Sequence, residues 1–577
     1  MSTCDEELFP HPCIDWYRAR DLLKPDDPRI RALFSPLFSA PPWEPRQSSP
    51  PCVARAPRAV AELKMYALSA AWRERPEWWR KVKDPVIREQ WLKEAKAEQE
   101  NEIPRWRLTD RMINHTLIEL EAYAKLRDEN TGIECGPYDC IWQSDKLVTD
   151  DLRLSLRDAI KPLEDEQANC PAQSNAQALD LIDPNLYPLV YGQTYGKQPD
   201  GFLGTFDPPS LDKHDILPEF NPQRSQWIPS DFRVKEDGRV SLISPYVNGV
   251  PPAYHDALVP VLEQIVARAV PLWERVLHGV LAEMPVRLGP VVKDEGGGEG
   301  FECIWEDDLH MPKERTRGTR DDDLSRRPLR LPDCRPEYDG RLAACAGGRY
   351  NLSGRTLQTI TKITNINLTP EDPIYTGEYW HFDGLWNEGI VSTFVYYHDL
   401  VNVREARISF REGTAEPAYH SKDDHLSMET LYGIEDGEPC VQGVGSIALK
   451  SGCCIAYPNF YQHKMSPLKL EDQTKPGTCK MLTLFLVDPN RRIPSGTEVP
   501  PQQADAVREA LLKAGSDSLF SKLPPELIDT IVAHVDGLVS EEEAFKLRQE
   551  MVDERAARAQ SAAGRDLFTH LLFGWPV

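Results

Sequence analysis

TLQTITKITNINLT (356–369), IVSTFVYYHD (390–399), ARISFRE (406–412), GVGSIALK (443–450), CCIAYPN (453–459), QHKMSPLKL (462–470) and CKMLTLFLVDP (479–489) follow one another within residues 355–489. Each run is rich in Val, Ile, Thr, Tyr or Phe, alternates in polarity, and ends at Gly, Pro, Asn or Asp. Many short strands with turn signals between them predict an antiparallel sandwich or barrel.

Outward from this stretch the texture is helical. RAVAELKMYALSAAW (58–72), DPVIREQWLKEAKAEQE (84–100) and MINHTLIELEAYAKLRDENTG (112–132) carry apolar residues at helical spacing, with an Asp-Pro start and a Gly132 stop. Trp78, Trp79 and Trp91 read as helix-packing anchors rather than a ligand cage. Residues 166–250 are mixed, and SQWIPSDFRVKEDGRVSLISPYV (225–247) predicts two short strands around an Asp237-Gly238 turn. A long amphipathic helix is expected over 252–283, and helices return at 501–515, 524–538 and 540–560. The expected fold class is α+β, in five parts: a poorly ordered Pro-rich arm at 1–57, a helical and mixed region at 58–285 and a charged insertion at 286–350 come first. The strand-rich core at 351–500 and a C-terminal helical region at 501–577 complete the chain.

The chain has 577 residues, with 67 Lys+Arg against 91 Asp+Glu and a net charge of −24. Such a surface repels phosphate backbones, so no nucleic-acid partner is expected. The N-terminus MSTCDEELFPHPC lacks an apolar signal region, and no window approaches a membrane span. A cytoplasmic location with reduced thiols follows as the expectation for the 13 cysteines. Cys135 and Cys140 lie close together, but no second pair at zinc-finger spacing accompanies them.

The chemistry is carried by EYWHFDGLWNEG (378–389) and PNFYQHKMSP (458–467). On an extended segment, His381 and Asp383 at i and i+2 point to one side. His463, 82 positions after His381, supplies a second imidazole. Two imidazoles and one carboxylate on one face leave the other positions of an Fe(II) ion open for O2 and co-substrate. SGCCIAYPN (451–459) predicts a hairpin returning the chain to His463 across a barrel mouth. A second His-x-Asp, His534-Val535-Asp536, sits in a helical pattern, where i and i+2 diverge and cannot chelate one ion. His398 reads as a turn or core histidine. His420 and His425, with Asp423 and Asp424, read as a solvated loop over the site mouth.

A 2-oxoglutarate co-substrate needs a cation for its distal carboxylate. Lys480 is the cation on the strand after His463, and Arg411 is the alternative, with Arg407 in the same strand phase. Trp380, Phe382 and Trp386 could either line a substrate pocket or pack the core.

Residues 352–403 and 451–493, with ALDLIDPNLYPLVYGQTYG (178–196), SQWIPSDF (225–232) and VPPQQ (499–503), closely resemble a large fungal family described only as a domain of unknown function, DUF4246. The resemblance runs from about residue 75 to 555. It implies a double-stranded β-helix (jelly-roll or cupin-like) core with large helical N- and C-terminal decorations. It implies an Fe(II)/2-oxoglutarate-dependent dioxygenase with His381, Asp383 and His463 as iron ligands. Relatives in fungal secondary metabolism imply a small-molecule substrate such as an amino acid, with O2 as co-substrate. Where that family tends to have Arg-Lys before the last strand, this chain has Cys479-Lys480. Lys480 or Arg411 must then replace the lost Arg as the anchor. Two other readings stay open: a cupin-like metalloenzyme without the keto acid, and a non-catalytic binding or scaffold protein. Substrate and oligomeric state are not legible.

Overall fold

A computed structural model of the chain describes residues 57–168, 177–198, 201–208, 224–282, 340–414, 425–513 and 518–563, with short pieces between 287 and 338. The Pro-rich arm, most of the charged insertion, and His420, Asp423 and Asp424 lie outside the described residues, as does the side chain of His425.

Helices α1 (Val60–Arg73), α2 (Pro85–Gln99) and α3 (Asp110–Leu126) open the described chain. Their starts follow from sequence. Asp84 accepts the Val86 N–H before a Pro at the first helical position, and Thr109 accepts the Met112 N–H. Trp72 and Trp91 stack at 6.0 Å and are buried, as packing anchors should be. Strand β1 (Trp142–Ser144), helix α4 (Asp150–Ala168) and strand β2 (Ala178–Ile182) follow. Next come β3 (Ser230–Val234) and β4 (Val240–Leu242), paired around Gly238 at φ +79°, the hairpin expected there. Helix α5 (Pro252–Leu281) is next. The core strands are β5 (Thr356–Leu368), β6 (Ile390–Val401), β7 (Arg407–Gly413), β8 (Val441–Ala448), β9 (Cys453–Pro458), β10 (Gln462–Met465) and β11 (Gly477–Val487). Helix α6 (Glu541–Ala563) ends the described chain. Among the described residues no helix is long and apolar enough to cross a membrane.

The fold is mixed helix and antiparallel sheet. One sheet of nine strands runs Glu134–Cys135, β1, β9, β6, β11, β5, β3, β4, with β2 also on β5. A second sheet runs β8, β7, β10, and a backbone bridge from His463 to His381 adds the His381 segment to its edge. In chain order the core changes sheet at every step except from β7 to β8, which pair with each other. β5, β6, β9 and β11 lie in the large one; the His381 segment, β7, β8 and β10 lie in the small one. The expected hairpin into His463 is therefore absent: β9 pairs with β1 and β6, whereas β10 pairs with β7. The turn at Asn459 moves the chain from one sheet to the other.

Register decides what faces the site. Residues directly opposite in a ladder share a face. Three rows cross β5, β11, β6 and β9 on one face: Ile360, Phe485, Thr393, Tyr457; then Lys362, Thr483, Val395, Ile455; then Thr364, Met481, Tyr397, Cys453. Phe394 belongs to the opposite face and meets Trp273 of α5 at 6.3 Å between rings. Trp273 is fully buried there, and truncating such an aromatic costs about 3–5 kcal/mol. Both faces of the central strands are covered, which is why they read as near-continuous apolar runs.

Candidate metal centre

His381 enters the site on a backbone bridge. Its N–H donates to the His463 carbonyl at 3.2 Å, and the His463 N–H donates back at 3.0 Å. Two chain segments distant in sequence are thereby locked side by side. The rings lie 4.3 Å apart, tilted by 53°. Asp383, two residues on, turns to the same side, and its Oδ1 lies 3.8 Å from His463 Nε2. One donor atom from each of His381, Asp383 and His463 falls within 4.8 Å of the others, the one such His/Cys/Asp/Glu group of three among the described residues.

The surroundings orient each donor. His381 Nδ1 faces the Tyr379 carbonyl at 2.8 Å. A carbonyl only accepts, so Nδ1 carries the proton and Nε2 keeps a lone pair. Thr393 donates to Asp383 Oδ2 at 2.6 Å, leaving Oδ1 turned towards the histidines. Asn459, fully buried, clamps the turn. Its Oδ1 accepts the Asp383 N–H at 2.9 Å, and its Nδ2 donates to the carbonyls of Asp383 and Ile390 at 2.8 and 2.9 Å. Gly384 follows at φ +68°, and a Cβ there would come within 2.4 Å of Ile390 Cδ1. Only glycine satisfies both the left-handed turn and the close approach.

Burial pushes the His463 pKa well below its usual value, helped by neighbouring His381. It is neutral at physiological pH, the form that binds a metal. Burial raises the Asp383 pKa, while His381, the Thr393 hydroxyl, Lys362 and the Tyr457 hydroxyl pull it back. A buried carboxylate facing two imidazoles is an anion short of a cation. Ligands on one face of an octahedral ion stand about 3 Å apart, given metal–ligand distances of roughly 2.1 Å. The donors here need only small side-chain rotations to reach that spacing, so they fit a divalent metal.

The other residues singled out in the sequence go elsewhere. Lys480 pairs with Glu164 of α4 at 2.7 Å, and Asn365 donates to the same carboxylate at 2.8 Å. Lys480 sits opposite Asn365, on the sheet face away from Thr393. Arg411 sits opposite Gln462, one residue out of phase with His463, and donates to Gln462 Oε1 at 2.6 Å. With Lys464 it flanks the Trp380 ring, each at 4.7 Å. Neither cation is brought to the triad. Arg407 pairs with Glu74, the residue that caps the end of α1, at 2.8 Å. Trp380 belongs to this outer cluster, Phe382 is half-buried, and the side chain of Trp386 lies outside the described residues. His398 is fully buried within β6, a core residue rather than a turn. His534 and Asp536 lie past the helix expected to carry them, which ends at Val532, and belong to no such group of three among the described residues. The His534 Nδ1 meets the Thr530 carbonyl at 2.8 Å. Cys135 and Cys140 are buried and are not joined in a disulfide.

Residues 110–510 match the family described as "Protein of unknown function (DUF4246)", and residues 4–94 match its N-terminal domain. The chain belongs to the DUF4246 family. No curated protein matches it. Among solved structures it is similar to IDO from Bacillus thuringiensis, at 12% identity and TM-score 0.16, over 23% of this chain and 50% of that one. It is similar to the Fe(II)/(alpha)ketoglutarate-dependent dioxygenase TqaL, at 12% identity and TM-score 0.21, over 59% and 91%. A bsmA homologue from Methylobium petroleophilum matches at 15% identity and TM-score 0.17, over 29% and 60%. The chain thus spans half of the first and most of the second. At scores this low the likenesses carry no weight for function.

Two side chains near the DUF4246 triad carry no motif that sequence reading could use. Asn459 is visible only once β9 and β10 are known to lie in different sheets. Lys362 lies on the triad's face of β5, 19 positions before His381, and looks like any strand cation.

Proposed function

We propose that His381, Asp383 and His463 hold Fe(II), and that the protein is a non-haem oxygenase of the 2-oxoglutarate-dependent kind acting on a small molecule with O2. The observation that carries this reading is the convergence of the three donors on one point from two segments distant in sequence, bridged side by side. The repeated passage of core strands between the two sheets supports reading the core as a double-stranded β-helix, the jelly-roll way of closing antiparallel edges. The bridged His381 and His463 segments would hold the metal, with Asp383 completing the set.

Bound iron with a keto acid supplies O2 activation and C–H oxidation. The chain's own part is positional. Thr393 fixes the Asp383 carboxylate, Asn459 fixes the backbone that carries it, and Tyr379 fixes the His381 tautomer. Tyr457, whose ring lies 4.8 Å from that of His463, and Phe410, 5.1 Å from Tyr457, wall off one side from water.

Anaerobic reconstitution with Fe(II) and 2-oxoglutarate tests the reading. A weak visible metal-to-ligand charge-transfer band is expected, absent from His381→Ala, with succinate formed on turnover. A band persisting in that variant removes the ligand assignment. The outward placement of Lys480 and Arg411 favours one second reading, a cupin-like metalloenzyme needing no keto acid. Metal-dependent activity indifferent to 2-oxoglutarate would establish it.

A further inference from the structure

The three rows on the inner face of β5, β11, β6 and β9 contain one cation, Lys362. It stands one row below Thr393, the residue that holds Asp383, and two strands across from it, with β11 between them. Successive residues on a face lie about 7 Å apart along a strand. A five-carbon keto diacid bound to the triad through its keto-acid end reaches roughly 6 Å further, from standard C–C lengths. The depth matches. Thr483 stands directly opposite Lys362 on β11 and offers a hydroxyl on the same face.

The Lys362 side chain keeps 31% of its surface accessible although it faces inward, so it borders open space. Its carboxylate neighbours are already engaged. Asp180 lies 3.4 Å from Lys362 Nζ, accepts from the Thr364 hydroxyl at 2.6 Å, and has Arg548 of α6 at 3.9 Å. Asp183 pairs with the same Arg548 at 2.5 Å. Glu378 accepts from the Met465 N–H at 3.2 Å.

We propose that Lys362, with Thr483 opposite it, binds the distal carboxylate of the keto-acid co-substrate, the role that neither Lys480 nor Arg411 can fill from the outer faces. This rests on the oxygenase reading above. A lysine there acts as a point charge, where arginine would make a planar fork.

The test compares 2-oxoglutarate with 2-oxopentanoate, which has the same carbon chain without the distal carboxylate. Both are titrated anaerobically into Fe(II)-loaded protein, following the charge-transfer band. Wild type should prefer 2-oxoglutarate. Lys362→Met should weaken 2-oxoglutarate by about 10- to 100-fold, the value of a charged hydrogen bond, and leave 2-oxopentanoate unchanged. Lys362→Arg should recover part of the preference, and Thr483→Val should lose a smaller part. Fe(II) affinity, measured by chelator competition, should stay at the wild-type value in all three and so report an intact centre. If Lys362→Met weakens both keto acids equally, or neither, Lys362 is only the partner of Asp180 and the proposal falls. Should Lys362→Met not fold, an unchanged preference in Thr483→Val and Lys362→Arg overturns it instead. A wild-type protein that binds Fe(II) but shows no band with either keto acid overturns the oxygenase reading itself, a different result from a band that ignores residue 362.

Discussion

At the scale of single residues, Asn459 does most to shape the site without binding anything. Its three hydrogen bonds join the Asp383 backbone to the start of β6, in a spot without solvent. Asn459→Ala leaves one N–H and two carbonyls to find other partners, costing about 1–3 kcal/mol per unsatisfied group. Because the turn carrying Asp383 loosens, Fe(II) affinity should fall by about 10- to 100-fold. Chelator competition at a temperature where the variant is folded checks this, and an unchanged affinity would show that the turn holds without its clamp. His398 gives a prediction of another kind. Burial, with Lys480, Arg157 and Arg153 nearby, pushes its pKa down from 6.5 to about 3. The unfolded chain therefore binds the extra proton between those values and the folded chain does not. This contribution to stability is complete above about pH 6.5 and shrinks as pH falls towards 3, with a slope of at most about 1.4 kcal/mol per pH unit. His398→Phe removes the titration, so the urea midpoint of wild type should fall relative to that of the variant as pH drops. Parallel midpoints from pH 7 to pH 4 would mean that His398 does not titrate as its burial requires.

At the scale of elements, much was legible and the failures share one cause. The strand runs, the hairpin at Gly238, the long helix α5 and the i, i+2 placement of His381 and Asp383 can be read from periodicity and spacing, because each depends on local pattern. The assignments of Lys480 and Arg411 depended instead on which face of a strand is inside. A strand buried on both faces shows no polar/apolar alternation, and a phase error of one residue exchanges the faces. Lys362 and Lys480 look alike in sequence. Only the register Thr483↔Lys362 and Lys480↔Asn365 separates them. The crossing at Asn459 was missed for a related reason: a turn between two strands looks the same whether it closes a hairpin or changes sheets. A prediction tests the face assignment. Lys480→Met leaves Glu164, 16% exposed, without its cation against the sheet. Stability should fall by about 1–3 kcal/mol, while Fe(II) and 2-oxoglutarate binding stay as in wild type. A selective loss of keto-acid affinity in Lys480→Met would return that residue to the site.

At the scale of the whole molecule, the segments flanking the core in sequence meet behind the turn that carries Asp383. Glu388, fully buried, ends the short helical turn that follows Asp383 and Gly384. Its carboxylate accepts from the Leu385 N–H at 2.6 Å and from the Trp227 N–H at 2.9 Å, and it pairs with Arg555 of α6 at 2.5 Å. The Arg555 guanidinium also lies over the Trp227 ring, 3.9 Å from its centre. Trp227 in turn donates to Asn185 at 2.9 Å. One carboxylate thus ties the Asp383 turn to an N-terminal segment and to the last described helix. A buried carboxylate that loses its cation costs about 3–5 kcal/mol, because the charge cannot reach water. Arg555→Ala should therefore lower the apo-protein melting point more than a surface substitution does. It should also weaken Fe(II) binding several-fold, as Glu388 draws back and the turn before it relaxes. Arg555→Ala combined with Glu388→Gln removes the stranded charge. The double variant should recover stability without recovering the full grip on iron, since the neutral amide no longer draws α6 onto the turn. If Arg555→Ala loses stability alone and binds Fe(II) as wild type does, then α6 supports the fold without reaching the centre.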